Sequence, residues 1–491
     1  MQQYFYGKDE SEGNRMNQTE NRKKRLNEKT DRSVVEQESE NNPLGREDTG
    51  KLLWQFAVPS IIAMLVSSLY NIVDQFFIGQ SVGELGNAAT NISFPLSISC
   101  VAIALLFGIG GASAFNICMG EGEKEKAVYY LGNASVLLFG CGILLCIVTE
   151  LFLEPLLHFF GSPDNVLEYA KIYTRITALG FPFLILTAGG GHLNRADGRP
   201  RIAMLCNLIG AVINTILDAI FVFVFQWGMV GAAAATIIGQ YISGALTLWY
   251  LAHCKTVKIQ PRHLKLKCDK VSRIAALGAA PCSNQLAMMV VQIVMNKSLK
   301  YYGARSVYGE AIPIACAGII TKVNQVFLSF IIGISQGMQP IVSFNYGAKK
   351  YGRVKKAYGQ AVVCGFFLSL FAFVMFQFAP RQIISIFGNG SEEYYQFAVS
   401  YFRIFLFFTF LNFIQPITSN LFTSIGKPTR GMFLSLTRQI LFLLPLLAIF
   451  PLFLGIDGLM YAGPVADFFA GLTAVVMVTK ELRRKEYAAA A

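Results

Sequence analysis

AKIYTRITALGFPFLILTAGGGHLNRADGRPRIAM, residues 170–204, returns 228 positions later as AVSYFRIFLFFTFLNFIQPITSNLFTSIGKPTRGM, residues 398–432. The two stretches align without a gap. Ala170 meets Ala398, Tyr173 meets Tyr401, Arg175 meets Arg403 and Ile176 meets Ile404; further on, Leu193 meets Leu421, Gly198 meets Gly426, Pro200 meets Pro428 and Met204 meets Met432. Duplication of mostly apolar helices implies two similar halves that move against one another. In a membrane that is the layout of a transporter.

The echo runs on in both directions. Ala57 and Pro59 pair with Ala279 and Pro281 at an offset of 222, Gly108-Ile109 with Gly333-Ile334 at 225, and Gly228 and Gly231 with Gly455 and Gly458 at 227. Slowly drifting offsets are what loop insertions and deletions leave between duplicated lobes. The 491 residues are 54% hydrophobic and 15% charged, with a mean hydropathy of +0.46. No soluble core absorbs that much apolar surface, so the chain reads as a polytopic membrane protein.

About twenty apolar residues cross a bilayer as a helix. Twelve such spans are predicted, near 52–78, 88–115, 127–153, 169–189, 203–226 and 229–253, then 273–299, 311–338, 357–379, 397–424, 431–454 and 458–479. The expected fold class is all-α, with two six-helix lobes. Because each lobe has an even number of spans, both enter and leave on one side, related by a pseudo-two-fold along the membrane normal. The alternating strands of a membrane barrel are absent from the sequence. Prolines that interrupt spans (Pro59, Pro95, Pro182, Pro281, Pro340, Pro445) and 44 glycines imply kinked, closely packed helices.

A net charge of +12 invites a nucleic-acid reading, but its placement argues against one. The linkers after spans 2, 4, 6, 8 and 10, with the C-terminus, carry 23 Lys and Arg residues, whereas the alternate linkers hold only Lys300, Arg305 and Arg381. By the positive-inside rule both termini are expected in the cytoplasm of a multi-pass protein of the inner (plasma) membrane. The expected organisation is a disordered polar tail over residues 1–50, an N-terminal lobe over 51–253, a basic cytoplasmic linker over 254–272, a C-terminal lobe over 273–480 and a short tail over 481–491. The tail lacks the apolar run of a signal peptide. Ten cysteines, mostly within spans and without a CxxC pair, read as reduced thiols.

Buried polar groups carry the chemistry. Asp74 lies near the end of the first span, with Tyr70 and Asn71 at i−4 and i−3. Asp218 lies within the fifth, and the spacings Asn207, Asn214, Asp218 place three polar side chains on one helical face. A carboxylate deep in a span costs roughly 2.5–3.5 kcal/mol on insertion scales, so it usually faces a cavity and has a task. Such a group can load and release a proton, while neighbouring oxygens can hold sodium. The positions aligned with Asp74 and Asp218 in the second lobe are Asn296 and Leu446. The acidic pair therefore belongs to one lobe.

Arg175 and Arg403 recur in spans 4 and 10, either as charge partners or as residues snorkelling to the interface. Lys322, beside Asn324 and Gln325, is a candidate relay or a repulsive charge against cationic cargo. Met288, Met289, Gln292 and Asn296 in span 7, with Tyr70 and Asn207, are candidate cavity residues, since Met repacks around varied ligands. Arg438 and Asp467 read as a structural ion pair.

With these residues in view, the chain resembles the multidrug and toxic compound extrusion (MATE) family, particularly its MepA-like bacterial branch, over about residues 50–480. The carriers are LLWQFAVPSIIAMLVSSLYNIVDQFFIGQ (52–80), NTILDAIFVF (214–223), the basic turn NRADGRPR (194–201) with its echo TSIGKPTR (423–430), and GISQGMQPIVSFNYGAKK (333–350). The resemblance implies two six-helix bundles in a V around a central cavity, and efflux driven by a proton or sodium gradient. It also implies coupling carboxylates in the first and fifth spans, where Asp74 and Asp218 stand.

The sequence excludes several alternatives. No GxxxxGK[ST] is present, since Gly426-Lys427 is followed by Pro428. The histidines (His158, His192, His253, His263) show no metal-ligand spacing, and no nucleophile-base motif appears. The expected protein is not an enzyme and takes no cofactor. It is a monomeric, cation-coupled exporter of amphiphilic, cationic organic compounds, with H+ or Na+ as the coupling ion. The nearest rival is a lipid-linked oligosaccharide or cell-wall precursor flippase, which would place several cations in the cavity. A membrane-embedded enzyme or receptor would need a clustered motif or a soluble signalling domain.

Overall fold

The computed structural model describes residues 42–309, 311–386, 392–484 and 487. Residues 1–41 of the expected tail lie outside them. Among the described residues, ten helices are long and apolar enough to cross a membrane, and two bent helix pairs, each taken as one span, bring the number to twelve. Spans 1 to 3 are Thr49–Val82, Glu84–Gly120 and Lys124–Leu151; span 4 is the pair Asp164–Ala178 and Phe181–Ala196; spans 5 and 6 are Pro200–Val224 and Gly228–Ala252. Spans 7 to 9 are Cys268–Gly303, Ala311–Gly347 and Tyr351–Phe378; span 10 is Glu392–Leu411 with Ile414–Ser424; spans 11 and 12 are Pro428–Leu454 and Ile456–Leu482. Leu144, Phe367, Phe371 and Leu452 are all at least 60% exposed, as residues are when the solvent is lipid.

The prolines act more selectively than their number implies. Pro59, Pro95, Pro281 and Pro340 sit inside unbroken helices. The sharp bends, 56° in span 4 and 41° in span 10, fall where a helix restarts just before Pro182 and Pro416. There the missing N–H coincides with a first turn that needs no partner. The bend at Pro416 was not expected from the sequence.

Spans 1–6 and 7–12 form two lobes that meet mainly through span 1 against span 8 and span 2 against span 7. The meeting is backbone to backbone. A Cβ on Gly278 would lie 1.7 Å from the Leu106 carbonyl oxygen, and one on Gly110 2.0 Å from that of Ile274. Polar ties are few. Ser68 and Ser329 share a hydroxyl hydrogen bond of 2.8 Å, and the Gln339 amide donates to Ser113 Oγ at 2.9 Å and to the Ile109 carbonyl at 3.2 Å. The glycine and glutamine contacts lie in the half of the spans that carries the basic linkers, and the serine pair lies near mid-span.

The expected tail ends earlier than residue 50. Residues 43–46 form a short helix, Leu44 is 5% exposed, and this segment straps the N-terminal lobe to the other. Asn345 and Arg353 donate to the Leu44 carbonyl at 2.9 and 3.1 Å, and Lys350 to that of Gly45 at 3.3 Å. Asp48 caps span 1 and accepts from Lys356 at 2.8 Å. That bond, with the helix N–H groups, holds the Asp48 carboxyl down from its ordinary 3.8 to about 2. Its contribution is therefore present above the ordinary value and lost only as pH falls towards 2. The basic linker is anchored as well. Asn133 donates to the carbonyls of His263 and Lys265 at 3.0 and 3.1 Å, while Asp197 accepts from Tyr250 Oη at 2.5 Å and from the backbone of Lys255 and Thr256.

Because spans 2 and 7 touch at Gly278, Gly278→Val must part the lobes on the basic side. Overpacking of this kind costs about 1–3 kcal/mol. In a variant retaining only Cys118, which is 3% exposed at the end of span 2, maleimide labelling is expected to rise about tenfold. Gly359→Val, where a Cβ meets nothing within 4 Å, is expected to leave the rate unchanged. Equal rates in the two variants would show that the lobes do not depend on this approach.

Candidate functional site

On span 1, Ser68 faces the other lobe. Asp74, six residues on, is turned about 120° away and points into its own lobe. There it joins Asp218 and Asn214 of span 5, Thr236 of span 6, Tyr70 of span 1 and Tyr173 of span 4, all within electrostatic or hydrogen-bonding reach of one another. Asp74 is 8% exposed, Asp218 0% and Asn214 2%. Asn214 Nδ2 donates to Thr236 Oγ1 at 3.4 Å, and Thr236 passes its own proton to the Ala232 carbonyl at 3.0 Å. Span 6 approaches closely enough for this because Gly239 has no side chain; a Cβ there would stand 3.0 Å from that of Asn214.

Four buried oxygens in this chamber have no protein partner: Asp74 Oδ1, both carboxylate oxygens of Asp218, and Asn214 Oδ1. Directly after Asp218 the helix widens to a π-turn over Ala219–Val224, a deformation that recurs at functional sites. An all-oxygen chamber with two carboxylates suits protons or a small hard cation, since either relieves the cost of buried negative charge.

The second lobe handles its buried carboxylate differently. Asp467 Oδ1 accepts from Arg438 Nε at 2.5 Å, so this charge is neutralised within the protein. Span 11 also contains a π-segment, Thr437–Leu443, but it starts nine residues after Pro428, whereas that of span 5 starts nineteen after Pro200. The duplication therefore fails at the chamber in geometry as well as in composition.

Other candidates are dispersed. Asn71 is exposed on the interlobe side of span 1 and its amide donates to the Ser67 carbonyl at 2.7 Å. Asn207 donates to the Ala203 carbonyl at 3.3 Å, two turns before Asn214. Gln292 donates to Asn296 at 3.0 Å, and Asn284 reaches the Met288 sulfur at 3.8 Å, while Met289 is half-buried. Arg175 sits 3.7 Å from Glu150 with its side chain mostly exposed, and Arg403 Nε donates to the Gln377 carbonyl at 3.1 Å. Lys322 is half-buried on span 8. Thr236 and Tyr173 were not singled out as site residues. Tyr173 was marked only as a repeat match, and nothing local distinguishes Thr236 until spans 5 and 6 are paired.

Comparison with known proteins covers both lobes. The MatE family model matches residues 59–220 and 282–449. The multidrug export protein MepA of Staphylococcus haemolyticus (strain JCSC1435) is 24% identical over 429 residues, spanning 87% of this chain and 93% of that protein. MepA of Staphylococcus aureus (strain MSSA476) is 23% identical over 430 residues, with the same coverage. A MOP superfamily transporter from Pyrococcus furiosus superposes with a TM-score of 0.83 at 22% identity, covering 90% of this chain and 97% of that one. An outward-facing multidrug resistance MATE family transporter gives 0.82 at 22% identity, covering 89% and 97%. The two-lobed architecture is common to all of these structures.

The contrast between the two carboxylates can be measured. Asp467→Asn strands the Arg438 guanidinium and is expected to cost about 3 kcal/mol. Asp218→Asn removes an unpartnered charge and is expected to leave the melting temperature in detergent unchanged or raised. A melting temperature that falls further for Asp218→Asn than for Asp467→Asn would contradict this picture of the chamber.

Proposed function

Because this chain belongs to the MatE family, we propose that it is a secondary active exporter of amphiphilic organic compounds, coupled to the inward movement of a proton or sodium ion. The observation that carries the coupling is the buried pair Asp74 and Asp218, which has no cationic partner among the described residues and is enclosed within one lobe of a two-lobed frame. The cation enters that chamber, and cargo occupies the cleft between spans 1, 2, 7 and 8. The basic face is the cytoplasmic one by the positive-inside rule, with the protein in the plasma membrane and both termini inside. Contacts concentrated on that face make this the outward-facing state, and chamber and cleft both lie within a single chain, which works as a monomer.

Coupling needs a ligand that binds one conformation better than the other. An ion in the chamber relieves repulsion and desolvation inside the N-terminal lobe alone, so its binding free energy depends on how spans 1, 5 and 6 are packed. The MepA relatives are named for multidrug export, which supports small organic cargo. A precursor flippase would need a dense cationic cluster for a diphosphate. Lys322 stands alone mid-cleft among the described side chains, and that favours the exporter.

Asp218→Asn is expected to abolish gradient-driven efflux in everted vesicles, by at least about 100-fold if one chamber carboxylate is indispensable to charge neutralisation. Loss of transport with a protonophore assigns the coupling ion as H+, and loss only on removing the sodium gradient assigns it as Na+. Full efflux by the Asn variant would refute coupling at this site.

A further inference from the structure

Where the two lobes part, one charge remains. Ser329 of span 8 touches Ser68 of span 1 at 2.8 Å, and a Cβ on Gly333 would lie 2.6 Å from the Ile61 Cα. Lys322 precedes these residues by seven and eleven positions, each within about 20° of a whole number of helical turns. It therefore projects from the side of span 8 that meets the other lobe, about 10 Å beyond the last serine contact. The opposite side of the helix carries Cys316, Ile320 and Phe327, all buried in the C-terminal lobe.

At that level the lobes have separated. Asn71, one turn beyond Ser68 on span 1, is exposed, as are Thr321 and Gln325 beside Lys322. On span 7, Asn296 lies five full turns beyond Gly278, the residue packed on Leu106, so it too faces the cleft. It is exposed and accepts from Gln292 at 3.0 Å. Amides and the Lys322 ammonium are thus among the groups that line this level of the cleft.

Among the described side chains, no balancing charge stands on the walls. Beyond the serine contact, the only carboxylate on spans 1, 2, 7 and 8 among the described side chains is Asp74, which is turned into its own lobe and buried. Lys322 itself makes no hydrogen bond or ion pair with a described residue. A lysine held within a span and left without a counter-ion creates a positive potential in a low-dielectric cleft, which concentrates anions and repels cations.

We propose that Lys322 is the cleft's anchor for an anionic group on the cargo, which makes the transported class amphiphilic carboxylates and sulfonates, zwitterions included. This inference rests on the exporter reading and sharpens it, replacing cationic amphiphiles as the expected cargo. An ammonium in this position is a point donor, so it selects charge without demanding one carboxylate geometry.

The test uses two matched probe pairs on the full-length protein. Norfloxacin is compared with its methyl ester, and 8-anilinonaphthalene-1-sulfonate with its uncharged parent N-phenyl-1-naphthylamine. Dissociation constants are measured in detergent without any gradient, and export is measured separately in proteoliposomes. Wild type is expected to bind each anionic member about tenfold more tightly than its partner. Lys322→Gln is expected to remove that ratio by weakening only the anionic members, and Lys322→Arg to preserve it; an unchanged constant for the ester and the parent amine shows that Lys322→Gln folds. Failure of the wild type to prefer the anion in both pairs, or a ratio untouched by Lys322→Gln, overturns the assignment. Gradient-driven export of N-phenyl-1-naphthylamine with no anion preference would overturn it while leaving the exporter reading intact. An anion preference without gradient-driven export of any probe would instead sink the exporter reading.

Discussion

The structure depends on a single kind of contact, the approach of helix backbones at Gly110 and Gly278 on the basic half of the membrane. Two spans that meet without intervening side chains gain dispersion along the whole contact, and in lipid that gain replaces the hydrophobic effect. Directional bonds across the interface are sparse among the described residues: the Gln339 amide, the serine pair, the strap at Leu44 and Gly45, and the exposed Asp48–Lys356 pair are the main ones. Each such bond contributes about 1 kcal/mol net. Reversing a two-state balance from 99:1 to 1:99 takes about 5.5 kcal/mol of differential binding. An interface built from close approach and a few weak bonds is within reach of that figure, whereas one laced with buried ion pairs would not be.

Charge is distributed with the same economy. The C-terminal lobe cancels its buried carboxylate with Arg438, and its basic end cancels Glu481 with Lys427 and Arg430. The N-terminal lobe leaves Asp74 and Asp218 without cationic partners. A site that a transported cation must occupy cannot also hold a resident arginine, since the resident would win on local concentration. In the proposed cycle, the acids of the N-terminal lobe and Lys322 in the cleft have complementary signs and separate positions, so that cation and cargo need not compete for one group.

Much of this was legible in the sequence. The 228-residue echo, the alternation of basic linkers and the run of apolar segments established twelve spans in two lobes, because hydropathy and charge asymmetry are properties of single segments. Asp74, Asn214 and Asp218 were readable for the same reason, as polar residues out of place in apolar helices. What escaped was everything set by pairing between distant segments. Thr236 becomes a site residue only when span 6 is laid against span 5. The strap at residues 42–48 is polar by composition, and its Leu44 and Gly45 are buried where Asn345 and Arg353 bind the Leu44 carbonyl. Arg175, a plausible partner for a chamber acid by depth alone, stands instead beside Glu150.

Span 1 joins the two sites. Its Ser68 side belongs to the interface with span 8, and its Asp74 side to the chamber, six residues further along one rigid helix. In the proposed cycle, ion and cargo act on different faces of one element. A change in chamber occupancy that rotates or shifts span 1 must alter how Ser68, Ile61 and Ala57 sit against span 8, since Gly333 and Gly337 leave no side chain to absorb the movement. The backbone contact that lets the lobes close so tightly also makes the interface intolerant of small displacements. In the proposed cycle, that intolerance converts a local change of charge inside one lobe into a choice between open and closed for the whole frame.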